Sequence, residues 1–238
     1  MSPDHEHTYL VQRGPDVRRT AIWSPYAHVA RRLRELVADL VALAGIGPGD
    51  TVLDLGCADA PYRELLAGAE YLPADLPGNP AATVEIAADG TVPLPDSSVD
   101  LVLSTQVLEH VADPERYLEE CVRLLRPGGH LLLSTHGIMH LHRDPTDYWR
   151  WTCDGLARIV GAAGLEVVET RGVLGLAGAG LQLLQSGLGH RIPRVLRRPF
   201  VAVFQLLIAL TDRATSEEAR RENGLVIAVL AVKPAVTP

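Results

Sequence analysis

Cysteine is scarce in this sequence. Cys57, Cys121 and Cys153 are the only three in 238 residues. They are too few and too scattered for a disulfide framework or a zinc knuckle, and they fit a reducing, cytoplasmic setting. No block of one charge sign stands out. The chain has 22 basic and 29 acidic residues and a formal net charge of -7, which gives a nucleic-acid partner no support. Long apolar runs are missing as well. The longest near the C-terminus, residues 200–210, is about half of the ~20 residues that a membrane span needs. The first ten residues lack a basic segment followed by an apolar one, so no signal peptide is expected. No internal repeat is visible. The chain does have apolar bulk: 47% of it is hydrophobic, which suits one α/β domain with a large core.

The most informative stretch is Thr51-Val-Leu-Asp-Leu-Gly-Cys-Ala-Asp-Ala-Pro-Tyr62. An apolar run carries one acid, Asp54, and breaks at Gly56 into small residues before a helical pattern near Tyr62. This pattern predicts a buried strand, a tight turn and a helix start, the place where an open α/β sheet receives a nucleotide-like ligand. Gly56 would let backbone approach that ligand without a side chain in the way.

Strands and helices alternate from there. Residues 1–22 read as a flexible arm. Ser24-Pro25 predicts a helix start, with proline in the first helical position and apolar residues at helical spacing up to Gly45. Further strands are expected at 70–74, 83–87, 99–104, 130–135 and 165–170, and helices at 62–67, 114–125 (capped by Asp113) and from Thr152 to 163. Residues 172–222 interrupt the rhythm with a glycine-rich and then leucine-rich segment. Leu225-Val-Ile-Ala-Val-Leu-Ala-Val232 is a last strand with no short crossover before it, which suggests an antiparallel edge. The expected fold is a Rossmann-like, doubly wound sheet of α/β class with a helical insertion ahead of its last strand. The expected division is an arm and helix over 1–44, a ligand-binding domain over 45–171 and 223–238, and an insertion or lid over 172–222.

Val52-Leu-Asp-Leu-Gly-Cys57 resembles the first motif of class I S-adenosylmethionine-dependent methyltransferases. The resemblance continues in order through Asp75, Ala88-Asp89-Gly90, Leu94-Pro95, Asp100-Leu-Val-Leu103, Val107-Leu-Glu-His-Val111, Leu125-Arg-Pro-Gly-Gly129 and Leu131-Leu-Leu-Ser134. As a set they are similar to the type 11 group of small-molecule methyltransferases. That group implies a seven-stranded sheet with an antiparallel last strand, and S-adenosylmethionine as cofactor. Gly56, Cys57 and Ala58 would then line the methionine part. Asp54 would accept from loop donors or meet the ammonium. Asp75 would hold the ribose diol, and Leu76 would touch the adenine. Asp89 would meet the adenine amino group, Gly90 would allow backbone approach, and Gln106 and Val107 would close the other side. Each has a plainer reading: Asp54 as a turn-stabilising carboxylate, Asp75 as a strand-end cap, Asp89-Gly90 as an ordinary turn. The family usually has more glycine in the first loop, where this chain has Ala58 and Ala60. Either φ stays negative there or cofactor affinity is weakened. A nicotinamide site is disfavoured, because the loop lacks the third-glycine spacing and no Tyr-x-x-x-Lys is present.

Methyl transfer needs an aligned acceptor and, for an alcohol, a base. Residues 134–152 follow the fifth strand and hold His136, His140 and His142 with Asp144, Asp147, Arg150 and three aromatics. His136 leaves the strand directly and is the first candidate base, with His140 and His142 behind it. Asp147 and Arg150 could instead pair and Thr152 cap a helix. His140, His142 and Asp144 also admit a metal reading, but their spacing matches no tight ligand signature and no metal is assigned. The resemblance implies that the insertion covers the acceptor site or makes a homodimer contact. Arg191, Arg194, Arg197 and Arg198 beside Phe200 suit either a solvated face or a grip on a phosphorylated or lipid-linked acceptor. The expected function is methyl transfer to a small molecule at oxygen, a sugar or secondary metabolite. The alternatives are a lipid- or quinone-like acceptor at a membrane surface, or a non-catalytic partner protein with the same fold.

Overall fold

The computed structural model describes residues 20–141, 143 and 146–235. In chain order the elements are α1 (Ala27–Leu43), β1 (Thr51–Leu55), β2 (Glu70–Asp75), β3 (Val84–Glu85), β4 (Val99–Thr105), α2 (Pro114–Leu124), β5 (Leu125–His136), α3 (Cys153–Ala162), β6 (Glu166–Val173), α4 (Leu176–Gly189), α5 (Arg194–Arg213), α6 (Glu217–Asn223) and β7 (Val226–Val232). The seven strands form one sheet in the order β3-β2-β1-β4-β5-β7-β6. β1 to β5 run parallel to one another, and β7 lies antiparallel between β5 and β6. The expected Rossmann-like sheet is therefore present, with its antiparallel last strand inside the sheet rather than at its edge.

Period-two alternation explains why the sheet is buried on both faces. Val52, Leu101, Leu103, Leu132, Ala228 and Leu230 point to one side, where they meet α1 and the α4–α5 pair. Leu53, Leu55, Val102, Leu131, Leu133 and Val229 point to the other and meet α2 and α3. Strands covered on both faces need near-continuous apolar runs, which is what β1, β4, β5 and β7 supply. Burying each such leucine stabilises by roughly 1.5–3 kcal/mol relative to exposure.

Two caps lie where the sequence put them. Asp113 accepts from the Arg116 N–H at the start of α2, and Thr152 Oγ1 accepts from the Gly155 N–H at the start of α3. Two other expectations need correction. α1 begins at Ala27 with Tyr26 as its cap residue, not at Pro25. The reason is that the Pro25 carbonyl is drawn away from the helix. It accepts from the side-chain amides of Gln182 (3.1 Å), Gln185 (2.7 Å) and Gln205 (2.8 Å). Residues 62–67 form only one 3-10 turn, Arg63–Leu66, because the chain passes Gly68 at φ +105 and must enter β2 at Glu70.

The three glutamines belong to α4 and α5, and all are buried. Gln205 Oε1 also accepts from the His28 N–H, so a polar cluster ties the helices between β6 and β7 to the start of α1. Two turns further along α5, buried Asp212 pairs with Arg220 (2.8 Å), His28 (3.0 Å) and Arg32 (3.2 Å). Burial pushes its carboxyl up, but the hydrogen bonds from His28 and Arg220 outweigh this and hold it below the usual range. α6 packs so closely on β6 that a Cβ on Gly172 would lie 1.9 Å from the Arg220 carbonyl oxygen. Removing Asp212 leaves the Arg32 and Arg220 guanidiniums and the His28 ring without their shared partner. Asp212→Ala should therefore cost on the order of 3 kcal/mol, read from urea denaturation. A loss below ~1 kcal/mol would show that Asp212 is not the hub of this contact.

Candidate cofactor and acceptor site

The C-terminal ends of β1, β2 and β4 bring several candidate residues together. Gly56 has φ +79, and a Cβ there would lie 2.5 Å from Val107 Cγ2. Glycine is thus required twice, by its backbone angle and by the side chain of Val107 packed against it. Ala58 and Ala60 have φ 50 and 54. The sequence left open whether this loop avoids positive φ at its alanines; it does not, and each position costs about 1 kcal/mol or more.

Asp75 helps to hold that strained turn. Its Oδ2 accepts from the Ala58 N–H (3.0 Å) and from the Asn79 amide (2.7 Å), and its Oδ1 from the Leu76 N–H (2.8 Å). The Asn79 amide also donates to the Ala58 carbonyl (2.7 Å). Asp75 is buried at the strand end, while Leu76 beside it is half exposed. A carboxylate has about four acceptor sites, so a diol arriving here would compete with Asn79 for Oδ2. Nothing in the sequence marked Asn79.

Asp54 is buried on β1 and accepts a short hydrogen bond from the Tyr71 hydroxyl. Burial pushes its carboxyl up to about 7; the bond from Tyr71 works against this, and the charge of Asp75 adds to it. Tyr71 is a second residue that sequence reasoning missed, since one tyrosine in a strand carries no signal of its partner. Asp89 and Gly90 lie in a turn closed by Ala87 and Thr91. The Asp89 carboxylate accepts from the Thr91 N–H (3.0 Å) and pairs with Arg116 at 3.3 Å on the surface. Gly90 has φ +88 with open space around it.

Gln106 closes β4 with φ 57, a strained angle for a side-chain-bearing residue. Its N–H donates to the Ser134 carbonyl (2.8 Å) and its amide to Ser134 Oγ (3.2 Å), which fixes the path into Val107.

Beyond β5 the structure assembles a buried acid and histidine. Glu109 is fully buried, and its Oε2 accepts from Thr135 Oγ1 (2.9 Å). Its Oε1 faces His136 Nδ1 at 3.3 Å without hydrogen-bond alignment. Burial pushes the Glu109 carboxyl up to about 7, against hydrogen bonds from its own backbone and Thr135. The sequence singled out His136 but gave Glu109 no role. His140 is exposed, and its carbonyl accepts from Arg150. His142 and Asp144 lie outside the described residues.

Arg150 staples this loop. It pairs with Asp147 through both nitrogens and donates to the carbonyls of Met139, His140 and Trp149. The Tyr148 N–H donates to the Glu109 carbonyl, and Trp149 Nε1 to the Val111 carbonyl, so the loop is sewn to the turn that carries Glu109. An open hollow of about 480 Å³ lies between Gly137–His140 and Leu183, Ser186 and Gly187 of α4.

Glu109 binds its proton far more tightly folded than unfolded. That stabilising effect is full below the unfolded value of 4.5 and is lost as pH rises towards about 7. Glu109→Gln stays neutral throughout. Its melting temperature relative to the parent chain should therefore be several degrees higher at pH 8 than at pH 5, since ~1 kcal/mol moves a protein of this size by ~2–4 °C. A difference that does not change with pH would contradict the shift.

The methyltransferase domain family matches residues 53–133. A probable S-adenosylmethionine-dependent methyltransferase of Mycolicibacterium smegmatis is 32% identical over 161 residues, 60% of this chain and 62% of that protein. A ubiquinone biosynthesis O-methyltransferase of Cupriavidus pinatubonensis is 32% identical over 164 residues, 55% of this chain and 66% of that protein. The chain thus spans less than two thirds of the length of these relatives. Among solved structures, the [4+2]-cyclase SpnF superposes with a TM-score of 0.55 at 21% identity, covering 87% of this chain and 82% of that one. Haemonchus contortus phosphoethanolamine N-methyltransferase 2 gives 0.53 at 17%, covering 82% of this chain and 52% of that one. At these identities the superpositions speak for the fold alone. Residues 53–133 thus match the methyltransferase domain family, and the sheet order agrees with the fold of the class I S-adenosylmethionine-dependent methyltransferases that these relatives resemble.

Proposed function

We propose that this protein transfers the methyl group of S-adenosylmethionine to an oxygen of a small-molecule acceptor. The observation that carries this reading is the buried Glu109–His136 pair at the end of β5, across the rim from the Gly56 loop. When bound, the cofactor supplies an electrophilic methyl group on a sulfonium. Gly56, Cys57 and Ala58 would pass along its methionine part. Asp54 would face the ammonium, whose positive charge would draw that raised carboxyl back to its charged form. Asp75 would hold the ribose diol in exchange for Asn79, with Leu76 on the adenine. Asp89 and Gly90 would edge the adenine, and Gln106 and Val107 would close the far side. The buried, strained rim fits such a group: two buried carboxylates flank a backbone turn that only very small residues can adopt.

His136 is the proposed base. With Nδ1 turned to Glu109, Nε2 is the atom that takes the acceptor's hydroxyl proton, and the Glu109 carboxylate stabilises the imidazolium that forms. His140 lines the hollow and would position the acceptor rather than deprotonate it.

The sequence favoured a sugar or secondary metabolite as acceptor. One observation supports a lipid- or quinone-like acceptor as a second reading. The hollow beside His140 is walled by Ile138, Met139 and Leu183, with Ser186 as its one side-chain hydroxyl. The ubiquinone-related name of one relative is in line with this. The cysteine usage supports action in the cytoplasm, and among the described residues no helix is long and apolar enough to cross a membrane.

Isothermal titration with S-adenosylmethionine tests the foundation, and absence of binding would leave only the non-catalytic partner reading. Asp75→Ala should weaken binding at least tenfold, because a hydrogen bond to a charged group is worth ~1.5–3 kcal/mol. Unchanged affinity removes Asp75 from the site. Labelled cofactor offered with a catechol bearing an apolar tail, and in parallel with a sugar panel, separates the two acceptor readings. With the accepted substrate, His136→Ala should lower turnover by ~100-fold; a normal rate dismisses His136 as base.

A further inference from the structure

The polarity of α5 is inverted. Its buried positions are Val201, Gln205, Ile208 and Asp212, so two of four are polar or charged. The opposite face carries Val203, Leu206, Leu207 and Leu210, spaced i, i+3, i+4 and i+7, and these are 57%, 52%, 42% and 52% exposed. Leu196 and Val195 extend the same stripe towards the N-terminus at 55% and 85% exposure. An ordinary surface helix turns its leucines inward. Here Gln205 is spent on Pro25, and Asp212 on His28, Arg32 and Arg220, so the polar groups occupy the inner face.

Charge distinguishes this region as well. The whole chain carries a net charge of -7, yet no Asp or Glu occurs between Glu169 and Asp212. Within that span Arg191, Arg194, Arg197 and Arg198 crown the first turns of α5 and the linker before it, and all four are exposed. Arg213 lies at the other end of the helix. An exposed apolar stripe on a helix with an arginine-rich, acid-free end is the composition of a helix that lies in the plane of an anionic interface. α5 is not a span.

We infer that the outer face of α5 docks the protein in-plane on an anionic phospholipid surface, with Val203, Leu206, Leu207 and Leu210 entering the headgroup–acyl boundary and the arginines meeting phosphate-bearing headgroups. A second copy is the weaker occupant. A two-fold contact would bring two helices with arginine-rich, acid-free first turns together and offer those cations no acid to pair with. The inference does not rest on the acceptor reading, although α4, which packs on α5, also forms one wall of the hollow through Leu183, Ser186 and Gly187.

The test is co-sedimentation of the full chain with vesicles of phosphatidylcholine alone and of phosphatidylcholine with phosphatidylglycerol. The expected result is binding to the mixed vesicles only, weakened at least tenfold by raised salt. Two variants should each reduce the bound fraction at least tenfold: Leu206→Asp with Leu210→Asp, and Arg194→Glu with Arg197→Glu and Arg198→Glu. All of these positions are exposed, so circular dichroism, melting temperature and cofactor titration should match the parent chain. No binding to the mixed vesicles overturns the inference, whatever then covers the face. Equal binding to neutral vesicles, or variants that bind like the parent, also overturn it. So does a dimer in light scattering that the leucine variant dissociates in the absence of any vesicle binding.

Discussion

A parallel sheet buried on both faces leaves its strands one place to meet polar chemistry, the rim where they end. That constraint organises this molecule. Leucines and valines fill both sides of β1, β4, β5 and β7, so the polar groups the fold needs are pushed to the carboxyl ends of the strands. Asp54, Asp75 and Glu109 all lie at or next to strand ends, and all are buried. Burying carboxylates is costly unless each finds donors. The structure supplies them one by one: the hydroxyl of Tyr71, the amide of Asn79 with backbone N–H groups, and the hydroxyl of Thr135. Two of the acids are still held near neutrality by desolvation, Asp54 and Glu109. These are groups poised to respond to an arriving cation or to a neighbouring imidazole, which is what makes the rim the candidate site.

Strain follows the same rim. Ala58, Ala60 and Gln106 carry positive φ within the loops that follow β1 and β4. Backbone of this kind persists only where its surroundings over-determine it. Asp75 and Asn79 pin the first loop, Ser134 pins the second, and Val107 packs against Gly56 between them. The loops are therefore fixed by contacts from strands that neighbour them in space and not in sequence. Across the sheet, Arg150 does the same for the loop after β5 by pairing with Asp147 and collecting three carbonyls. The helices between β6 and β7 tie the assembly to its first helix through the glutamines on Pro25 and the cations on Asp212. That attachment uses up the polar groups of α5 and turns its leucines outward.

Much of this was legible in the chain, and the residues that were legible share a cause. Local chemistry determined them. Apolar runs of the right length specify strands, Asp113 and Thr152 specify helix starts through their own side chains, and the strand–Gly56–turn pattern specifies where a ligand loop stands. The order of motifs then pointed to a methyltransferase domain and with it to the sheet. The pairing of Asp147 with Arg150 was within reach too, because three residues separate them. What tertiary structure alone decided lies between residues distant in sequence. Tyr71 on Asp54, Asn79 on the Gly56 loop, Glu109 against His136 and three glutamines on Pro25 each join residues 17 to 180 positions apart, by contacts that no spacing rule encodes. The start of α1 moved from Pro25 to Ala27 for the same reason, since a carbonyl captured by a distant helix cannot cap its own. The sequence by itself determined the sheet and the loop that opens its rim. Only the folded chain decided which carboxylates are buried and paired there, and which face of α5 is left to the solvent, because burial and charge pairing are properties of the packed whole.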